Sequence, residues 1–250
     1  MKISIITATF NSAATIRDTL ESVKNQTYTN IEHIIVDGLS EDNTLSIVDE
    51  YPHIARVISE KDKGIYDAMN KGITTATGEI IGILNSDDFY INNNVIEKVV
   101  NTFKSKEVDS VYANLNFIEP RSPYKITRYW NAGVFSRKNM ISYGWQPPHP
   151  TFFVKKSSYD KLGLFNLNFK IAADYELLLR FLYKNEVSTA YIPEITVNMR
   201  IGGESTKSLK NRWILITEYY ESFKVNGLKP KLWTIPFRIL SKIPQFILKP

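Results

Sequence analysis

The residues best suited to chemistry are Asn85, Ser86, Asp87 and Asp88, where an apolar run over residues 80–84 ends abruptly. A run of β-branched residues between turn formers predicts a buried strand, and parallel sheets place ligands at the carboxyl ends of their strands. Two adjacent carboxylates repel each other, and a hard cation such as Mg²⁺ or Mn²⁺, shared with a substrate phosphate, relieves that repulsion. Taken alone, the four residues are more typical of a solvated turn.

Three further polar clusters follow predicted strands, and all four clusters would meet at one edge of a parallel sheet. They contain Thr9 and Asn11 after the first strand, Asp37 after the second and Asp62 after the third. Carboxylates accept hydrogen bonds from a base or a ribose and a metal bridges a diphosphate, so together the clusters favour a nucleotide site. The sequence has neither a Gly-x-Gly-x-x-Gly nor a phosphate-loop motif, so dinucleotide and phosphate-loop sites are disfavoured.

The later part of the chain adds five candidates. Asp174 and Glu176 lie at the start of a predicted helix, where the helix dipole by itself also favours an acid. Trp145 and His149 lie in an aromatic, proline-rich segment that suits contacts with a sugar, although a lone His beside prolines is commonly structural. Arg200 precedes two glycines and suits either a phosphate contact in a closing lid or a plain linker.

Composition places the chain among globular proteins, because 43% of its 250 residues are hydrophobic and 23% are charged. The absence of cysteine excludes disulfides and thiolate metal sites and suits a reducing compartment. The amino terminus is typical of a first strand rather than a secretory signal, and no run reaches the ~20 apolar residues of a membrane span. These features favour a cytoplasmic location.

The basic excess of the chain is concentrated at its carboxyl end. The net charge is +5, and no acid follows Glu221. Residues 231–250 mix large apolar side chains with scattered cations, a composition that suits the interface of an anionic bilayer. A tail packed on the domain or on a partner is the alternative. We expect a helical, basic and amphipathic extension over residues 206–250, peripheral to the inner face of the cell membrane.

Alternating strand and helix patterns over the first hundred residues predict an α/β fold, a mostly parallel central sheet flanked by helices. Residues 114–150 are irregular and rich in aromatics and prolines, which predicts a segment that shapes a substrate site outside the core. Helices are expected over 172–183 and 208–224.

The order of these motifs resembles glycosyltransferase family 2, whose members are inverting enzymes of the GT-A (nucleotide-diphospho-sugar transferase) fold that transfer sugars from nucleotide sugars. The resemblance covers about residues 1–205, which it implies form one GT-A domain. Its segments are each weak alone and specific in combination: residues 5–11, 36–38, 62–72, 76–79 and 84–88.

The resemblance also implies roles for residues of the donor site. The family holds the nucleoside with the polar end of the first strand and the acid that ends the second, here Thr9, Asn11 and Asp37. Its metal-binding Asp-x-Asp signature maps onto residues 85–88. Asn85 replaces the first acid of that signature, so Asp87 and Asp88 are the expected ligands of Mn²⁺ or Mg²⁺. The remaining expected nucleotide contacts are Asp62, Lys71, Asn85, Ser86 and Asp87.

Two further family positions bear on phosphate binding and catalysis. Many members carry an arginine where this chain has Met69, so its phosphate role would pass to Lys71 or to another basic residue. In similar members the aspartate of the Asp-Tyr-Glu segment is the catalytic base, which implies Asp174. An acceptor hydroxyl is a poor nucleophile until a positioned carboxylate takes its proton. Glu176 is a supporting residue, and His149 belongs to a stretch similar to one in related transferases.

We therefore predict a metal-dependent inverting glycosyltransferase. The expected donor is a UDP-sugar, and the expected acceptor is a lipid-linked saccharide of bacterial cell-surface polysaccharide biosynthesis. A nucleotidyltransferase is the nearest rival, but the loop at residues 7–11 lacks the basic residues that a triphosphate needs. A non-catalytic, membrane-associated binding protein is the alternative outside enzymes, and no nucleic-acid partner is expected.

Overall fold

The computed structural model describes residues 1–120, 122–202, 208–242 and 245. Within these residues the chain forms one nine-stranded sheet flanked by helices. The strands are β1 (Ile3–Thr9), β2 (Ile31–Asp37), β3 (Ile54–Ser59), β4 (Ile80–Ile83), β5 (Phe89–Tyr90), β6 (Ser110–Glu119), β7 (Ser122–Trp130), β8 (Phe153–Lys155) and β9 (Thr189–Arg200). The helices are α1 (Ile16–Lys24), α2 (Thr44–Val48), α3 (Ile65–Thr75), α4 (Val95–Lys106), α5 (Arg137–Tyr143), α6 (Lys156–Leu162), α7 (Ala173–Leu178), α8 (Leu209–Val225) and α9 (Thr234–Leu240).

The strand order is β3-β2-β1-β4-β8-β6-β9-β5, and β7 pairs with β6. The first four of these strands are mutually parallel, as are β6 and β9, whereas the other pairings are antiparallel. The α/β class is confirmed, but among the described residues the pairings divide evenly instead of being mostly parallel. The connection between β6 and β7 is too short for the crossover that parallel strands need, so a hairpin forms there.

Side chains alternate between the two faces of the sheet. Ile6 of β1 faces a cluster that includes the buried side of α3, whereas Ile5 faces a second cluster with α4. Gly72 allows α3 to lie close against β1, because an added Cβ there would be 2.4 Å from Ile6 Cγ2. The parallel strands β3, β2, β1 and β4 therefore present their carboxyl ends along one edge, as the sequence predicted.

Residues 114–150 are more regular than expected. The β6–β7 hairpin occupies much of this segment, α5 follows it, and Leu115 and Ile118 are fully buried. Aromatic side chains stabilise the hairpin from across its strands, with the rings of Phe117 and Trp130 stacked at 6.3 Å. The prediction of an irregular segment outside the core was wrong for its first half, because the strand period there is broken by bulges.

The last described helices pack back on the rest of the chain. Tyr219 and Phe223 of α8 and Ile235 of α9 join the same core cluster as α7. No helix among the described residues is long and apolar enough to cross a membrane. The predicted domain boundary at 205/206 falls within residues 203–207, outside the described residues, as do residues 243, 244 and 246–250 of the tail. The division into two domains stays a prediction.

Candidate active site

Two aspartates follow β4 at the sheet edge. Asp88 is 1% exposed, and its Oδ1 accepts a hydrogen bond from the backbone N–H of Arg200 at 3.3 Å. Its Oδ2 is buried without a hydrogen-bond partner among the described residues. Burial, and secondly the neighbouring charge of Asp87, raise the pKa of Asp88 well above its usual value. Burial also raises the pKa of Asp87. At both carboxylates the effect of burial on the pKa thus outweighs that of the Arg200 charge.

Arg200 lies at the end of β9 and braces this loop. Its Nη1 donates to the backbone oxygen of Asp87 at 2.7 Å, and its Nη2 forms an ion pair with Asp18. Because the side chain is 5% exposed and already engaged, it positions the aspartates. These contacts give no support to the predicted phosphate contact by Arg200, which stays a prediction. The second glycine of the predicted lid, Gly203, lies outside the described residues.

The donor set around Asp87 and Asp88 fits a hard divalent cation. Besides Asp88 Oδ2, the amide oxygen of Asn85 is buried and has no hydrogen-bond partner within the described part of the chain. Carboxylate and amide oxygens are ligands of Mg²⁺ and Mn²⁺, which commonly retain water and substrate phosphate in their coordination shell. Within the described part of the chain no group of three His, Cys, Asp or Glu side chains is arranged to hold a metal by itself. This suits a cation completed by the substrate.

The predicted nucleoside residues lie together at the ends of β1, β2 and β3. Asp37 is fully buried, and its carboxylate accepts hydrogen bonds from Ser40 Oγ at 2.5 Å and Ser59 Oγ at 2.8 Å. Asp62 lies across Gly38, where an added Cβ would be 2.6 Å from Asp62 Oδ2. Because Gly38 has no side chain, it leaves room for the carboxylate of Asp62 at the same edge of the sheet as Asp37.

The end of β1 completes this corner. Thr9 is 5% exposed, and its hydroxyl is buried without a hydrogen-bond partner among the described residues. Asn11 has a φ of 48°, and its side-chain oxygen accepts a hydrogen bond from the Glu41 N–H at 2.9 Å. Ser86, from the loop after β4, shares a hydrogen bond of 2.8 Å with Ser12. The loops after β1, β2 and β4 are thus joined by hydrogen bonds.

Asp174 is the second residue of α7, and its side chain is 18% exposed. Its Oδ1 accepts a hydrogen bond from Tyr66 OH at 3.4 Å, and its Oδ2 lies 3.4 Å from His149 Nδ1. Tyr66 also donates to the Ile171 carbonyl at 2.7 Å, which ties α3 to the loop before α7. A general base needs a carboxylate oxygen that an acceptor hydroxyl can reach, and the Asp174 side chain is partly exposed.

His149 connects the two groups of aspartates. It begins a 3₁₀ turn, His149–Thr151, and its side chain is 28% exposed. Burial lowers the pKa of His149, while the charges of Asp174 and then Asp87 oppose that shift. One imidazole therefore interacts with both the aspartate of α7 and an aspartate after β4. The chain brings these residues together across 87 positions of sequence.

Three predicted site residues have other partners. Lys71 Nζ lies 3.0 Å from Glu60 Oε1 and donates to the Lys61 carbonyl at 2.8 Å, so it holds the β3–α3 loop. Trp145 Nε1 donates to the Ala132 carbonyl at 2.8 Å. Glu176 is 2% exposed. These contacts give no support to a role of Lys71 or Trp145 in substrate binding.

The contacts of Glu176 give no support to a substrate contact, which stays a prediction. Its carboxylate accepts hydrogen bonds from Arg180 Nε at 3.0 Å and Asn226 Nδ2 at 3.0 Å, on the buried side of α7. Two positions along a helix turn the side chain away from that of Asp174. Glu176 instead joins α7 to the residue that follows α8.

Sequence reasoning missed two residues that position Asp174. Tyr66 was included in a family motif without a role. Glu218 of α8 accepts hydrogen bonds from three successive backbone N–H groups before α7, those of Lys170, Ile171 and Ala172, at 2.7–2.9 Å. No local pattern marks a helix acid that acts 46–48 residues away, so the sequence carried no signal for Glu218.

Solved structures with similar folds define the class. TarS of S. aureus in complex with UDP-GlcNAc has a TM-score of 0.70 and 21% identity, and the match covers 91% of this chain and 66% of that one. The match to a longer TarS chain covers 41% of its length. The mannosyltransferase PcManGT of Pyrobaculum calidifontis, in complex with GDP-Man and Mn²⁺, has a TM-score of 0.67 and 19% identity, with coverage of 96% and 69%. The fold is that of the GT-A glycosyltransferases.

Sequence relatives define the family. Residues 4–163 match the model of glycosyl transferase family 2. An uncharacterized glycosyltransferase of Mycobacterium tuberculosis is 31% identical over 188 residues, which cover 71% of this chain and 68% of the relative. A PGL/p-HBAD biosynthesis glycosyltransferase of Mycobacterium bovis is 25% identical over 217 residues, which cover 85% and 82%. The chain belongs to glycosyltransferase family 2 and is a glycosyltransferase, which confirms the predicted family and enzyme class.

Proposed function

We propose that this enzyme transfers a sugar from a nucleotide sugar, with UDP as the nucleotide, to a saccharide hydroxyl with inversion at the anomeric carbon. The observation that carries the proposal is that His149 lies 3.4 Å from Asp174 and also feels the charge of Asp87. This supports a site shared by the candidate base and the candidate metal ligands. Complexes of the similar proteins TarS with UDP-GlcNAc and PcManGT with GDP-Man and Mn²⁺ support a nucleotide-sugar donor.

Each group of residues has a separate task in the proposed reaction. Thr9, Asn11, Asp37 and Asp62 bind the nucleoside at the ends of the first three strands. Asp174 takes the proton of the acceptor hydroxyl, and that oxygen bonds to the anomeric carbon as the bond to the diphosphate oxygen breaks. Attack from the side opposite the diphosphate inverts the configuration, and no covalent nucleophile on the protein is required.

Asp87 and Asp88 would hold the divalent metal, with Asn85 beside them. When bound, such a cation offsets the negative charge that develops on the leaving diphosphate. The surroundings of the aspartates support this assignment, since Asp88 Oδ2 is buried without a partner among the described residues. Arg200 keeps both aspartates in place through the backbone at Asp87 and the carboxylate of Asp88.

A membrane-linked acceptor is the finer part of the proposal. One face of α9 is buried through Thr234, Ile235 and Arg238, which supports packing of the tail on the domain. The opposite face is exposed and apolar, and the exposed lysines 229 and 231 precede it. The exposed apolar side chains of α9 and of the two residues before it are Leu232, Trp233, Phe237, Ile239 and Leu240. An apolar face next to cations suits the surface of an anionic bilayer, where a lipid-linked acceptor of cell-surface polysaccharide synthesis would be found.

Thermal unfolding with nucleoside diphosphates tests the donor site. We expect UDP with Mn²⁺ to raise the melting temperature, and EDTA to reduce that shift, because a ligand that binds only the folded state stabilises it. GDP serves as the comparison nucleotide. No shift with either nucleotide, with or without Mn²⁺, would overturn the proposed donor site.

A further inference from the structure

One side chain of α9 contacts both of the segments that carry His149 and Asp174. Arg238 lies on the buried face of this helix and is 6% exposed. Its Nη1 donates to the carbonyl of Gly144, and its guanidinium lies 4.4 Å from the ring centroid of Tyr175. Gly144 follows α5 and precedes His149 by five residues, whereas Tyr175 directly follows Asp174 in α7. Arg238 therefore joins the segment before His149 to the first turn of α7.

The contact with the first segment depends on a glycine. Gly144 has a φ of 62°, in the left-handed region, and an added Cβ there would be 2.9 Å from Arg238 Cβ. One turn earlier in α9, Thr234 Oγ1 donates to the Ile141 carbonyl at 2.8 Å. The last carbonyls of a helix have no partner within it, and here α9 supplies donors to the end of α5. Two hydrogen bonds thus fix α9 to the segment that leads to His149.

The contact with α7 is made through two buried tyrosine rings. The guanidinium of Arg238 also lies 4.4 Å from the ring centroid of Tyr219 in α8, and its Nη2 donates to Tyr219 OH at 3.2 Å. The rings of Tyr175 and Tyr219 meet edge to face with their centroids 4.9 Å apart. A cation is attracted to the face of an aromatic ring, more strongly where water is excluded. Arg238 therefore fixes the turn of α7 that carries Asp174.

We propose that Arg238 is a positioning residue that sets the approach of His149 Nδ1 to Asp174 Oδ2, which are 3.4 Å apart. The inference rests on the proposed function, in which Asp174 is the base. A base must lie within hydrogen-bond reach of its proton, and a misplacement of about 1 Å can lower a rate by about 10²-fold. Since α9 lies beyond residues 4–163, which match the family model, a later part of the chain completes the site.

NMR of the full chain with isotope-labelled histidine follows this approach directly, because the chain has three histidines. The other two, His33 and His53, contact each other and report whether the sheet around them is intact. We expect Arg238→Met to shift the ring signals of His149, as Asp174→Asn does, and to leave those of His33 and His53 in place. A general loss of structure would move all three sets of signals.

Two further variants make the comparison specific. Arg238→Lys keeps a charge against the two rings, so its His149 signals should lie between those of Arg238→Met and the wild type. Arg212→Met, at an exposed arginine of α8, is the matched control and should shift none of the histidine signals. Hydrolysis of UDP-GlcNAc, with water in place of the acceptor, gives a kinetic readout. Arg238→Met should lower its kcat about tenfold or more and leave its KM unchanged, because the base is displaced and the donor residues are not.

The outcomes separate this inference from the proposed function. Unchanged His149 signals in Arg238→Met and Arg238→Lys, or equal kcat in Arg238→Met and Arg212→Met, overturn the inference even if UDP with Mn²⁺ stabilises the protein. If the wild type does not hydrolyse UDP-GlcNAc, the His149 signals decide alone. If those signals shift but neither UDP nor GDP stabilises the wild type, the donor site fails, and the part assigned to Arg238 in transfer fails with it.

Discussion

Asp174 has the surroundings of a general base at the scale of single residues. Tyr66 and His149 each approach one oxygen of its carboxylate, and the remaining exposure leaves room for a hydroxyl. We expect Asp174→Asn to lower transfer by about 10²–10⁴-fold while it keeps stabilisation by UDP and Mn²⁺, because the amide cannot take a proton. Asp160→Asn, at an exposed acid of α6, is the control. Activity close to wild type in Asp174→Asn would contradict the assignment.

Asp88 permits a test of the metal site that does not depend on turnover. Asparagine keeps the side-chain oxygen that accepts a hydrogen bond from the Arg200 N–H. It removes the carboxylate charge of Asp88, which burial disfavours. We expect Asp88→Asn to abolish the Mn²⁺-dependent part of the UDP stabilisation. Its melting temperature in EDTA should be at least that of the wild type, because an uncompensated buried charge is gone. Asp49→Asn, at an exposed position, should change neither value; a marked loss of stability in EDTA would argue against this reasoning.

At the scale of elements, α8 positions the loop that carries the base. Glu218 binds three consecutive backbone N–H groups just before α7, as a capping carboxylate does. We expect Glu218→Ala to lower kcat with little change in the KM of the donor, and to cost about 1–3 kcal/mol of unfolding free energy. Glu218→Gln should recover part of both losses, because its side-chain oxygen still accepts hydrogen bonds.

The control for this element lies one helical turn further on. Glu221 of α8 is exposed and, among the described residues, pairs with Lys224 alone, so Glu221→Ala should leave kcat unchanged. A purely structural role for Glu218 would change stability and leave kcat of the remaining folded enzyme intact. Equal kcat in Glu218→Ala and Glu221→Ala would therefore exclude a contribution of Glu218, and with it of α8, to catalysis.

The sequence predicted the parallel strands better than the contacts that join their ends. Apolar runs and the turn formers after them are local signals, so β4 and the aspartates that follow it were predictable. Arg200, by contrast, meets Asp88 across 112 residues, and its type alone suited a phosphate equally well. The β6–β7 hairpin was missed because bulges interrupt its alternation. Glu176 shows the same limit, since only the packing of α7 against α8 reveals that it faces inward.

At the scale of the whole molecule, a buried histidine, His33, makes folding stability depend on pH. His33 is fully buried between Thr7 Oγ1 at 3.0 Å and His53 Nε2 at 3.1 Å, and burial lowers its pKa from 6.5 to about 3. The unfolded chain therefore binds more protons than the folded one between these values. This contribution to stability is fully present above pH 6.5 and is lost as the pH falls toward 3, at up to about 1.4 kcal/mol per pH unit.

Urea unfolding of the wild type and of His33→Gln at pH 7, 6 and 5 measures this contribution. Glutamine keeps hydrogen-bonding groups but does not titrate, so the loss of stability on acidification should be smaller in the variant. His53, whose pKa burial also lowers, adds a residual slope of the same sign in both proteins. Parallel losses in the two proteins over this range would assign the pH dependence to other groups.

The exposed face of α9 and the cations before it would determine how the molecule meets a membrane. Leu232 is 90% exposed and Trp233 is 48% exposed, so neither is needed to fill the core. We expect binding to vesicles that contain phosphatidylglycerol, weaker at high salt because the lysines are screened. Leu232→Ser with Trp233→Ser should weaken that binding about tenfold, through loss of inserted apolar area.

Val57→Ser, at an exposed apolar position of β3, should bind as the wild type does. Sedimentation with these vesicles measures the binding of all three proteins. If the double variant binds as well as the wild type does, the tail packs on the domain and does not bind the membrane through these residues.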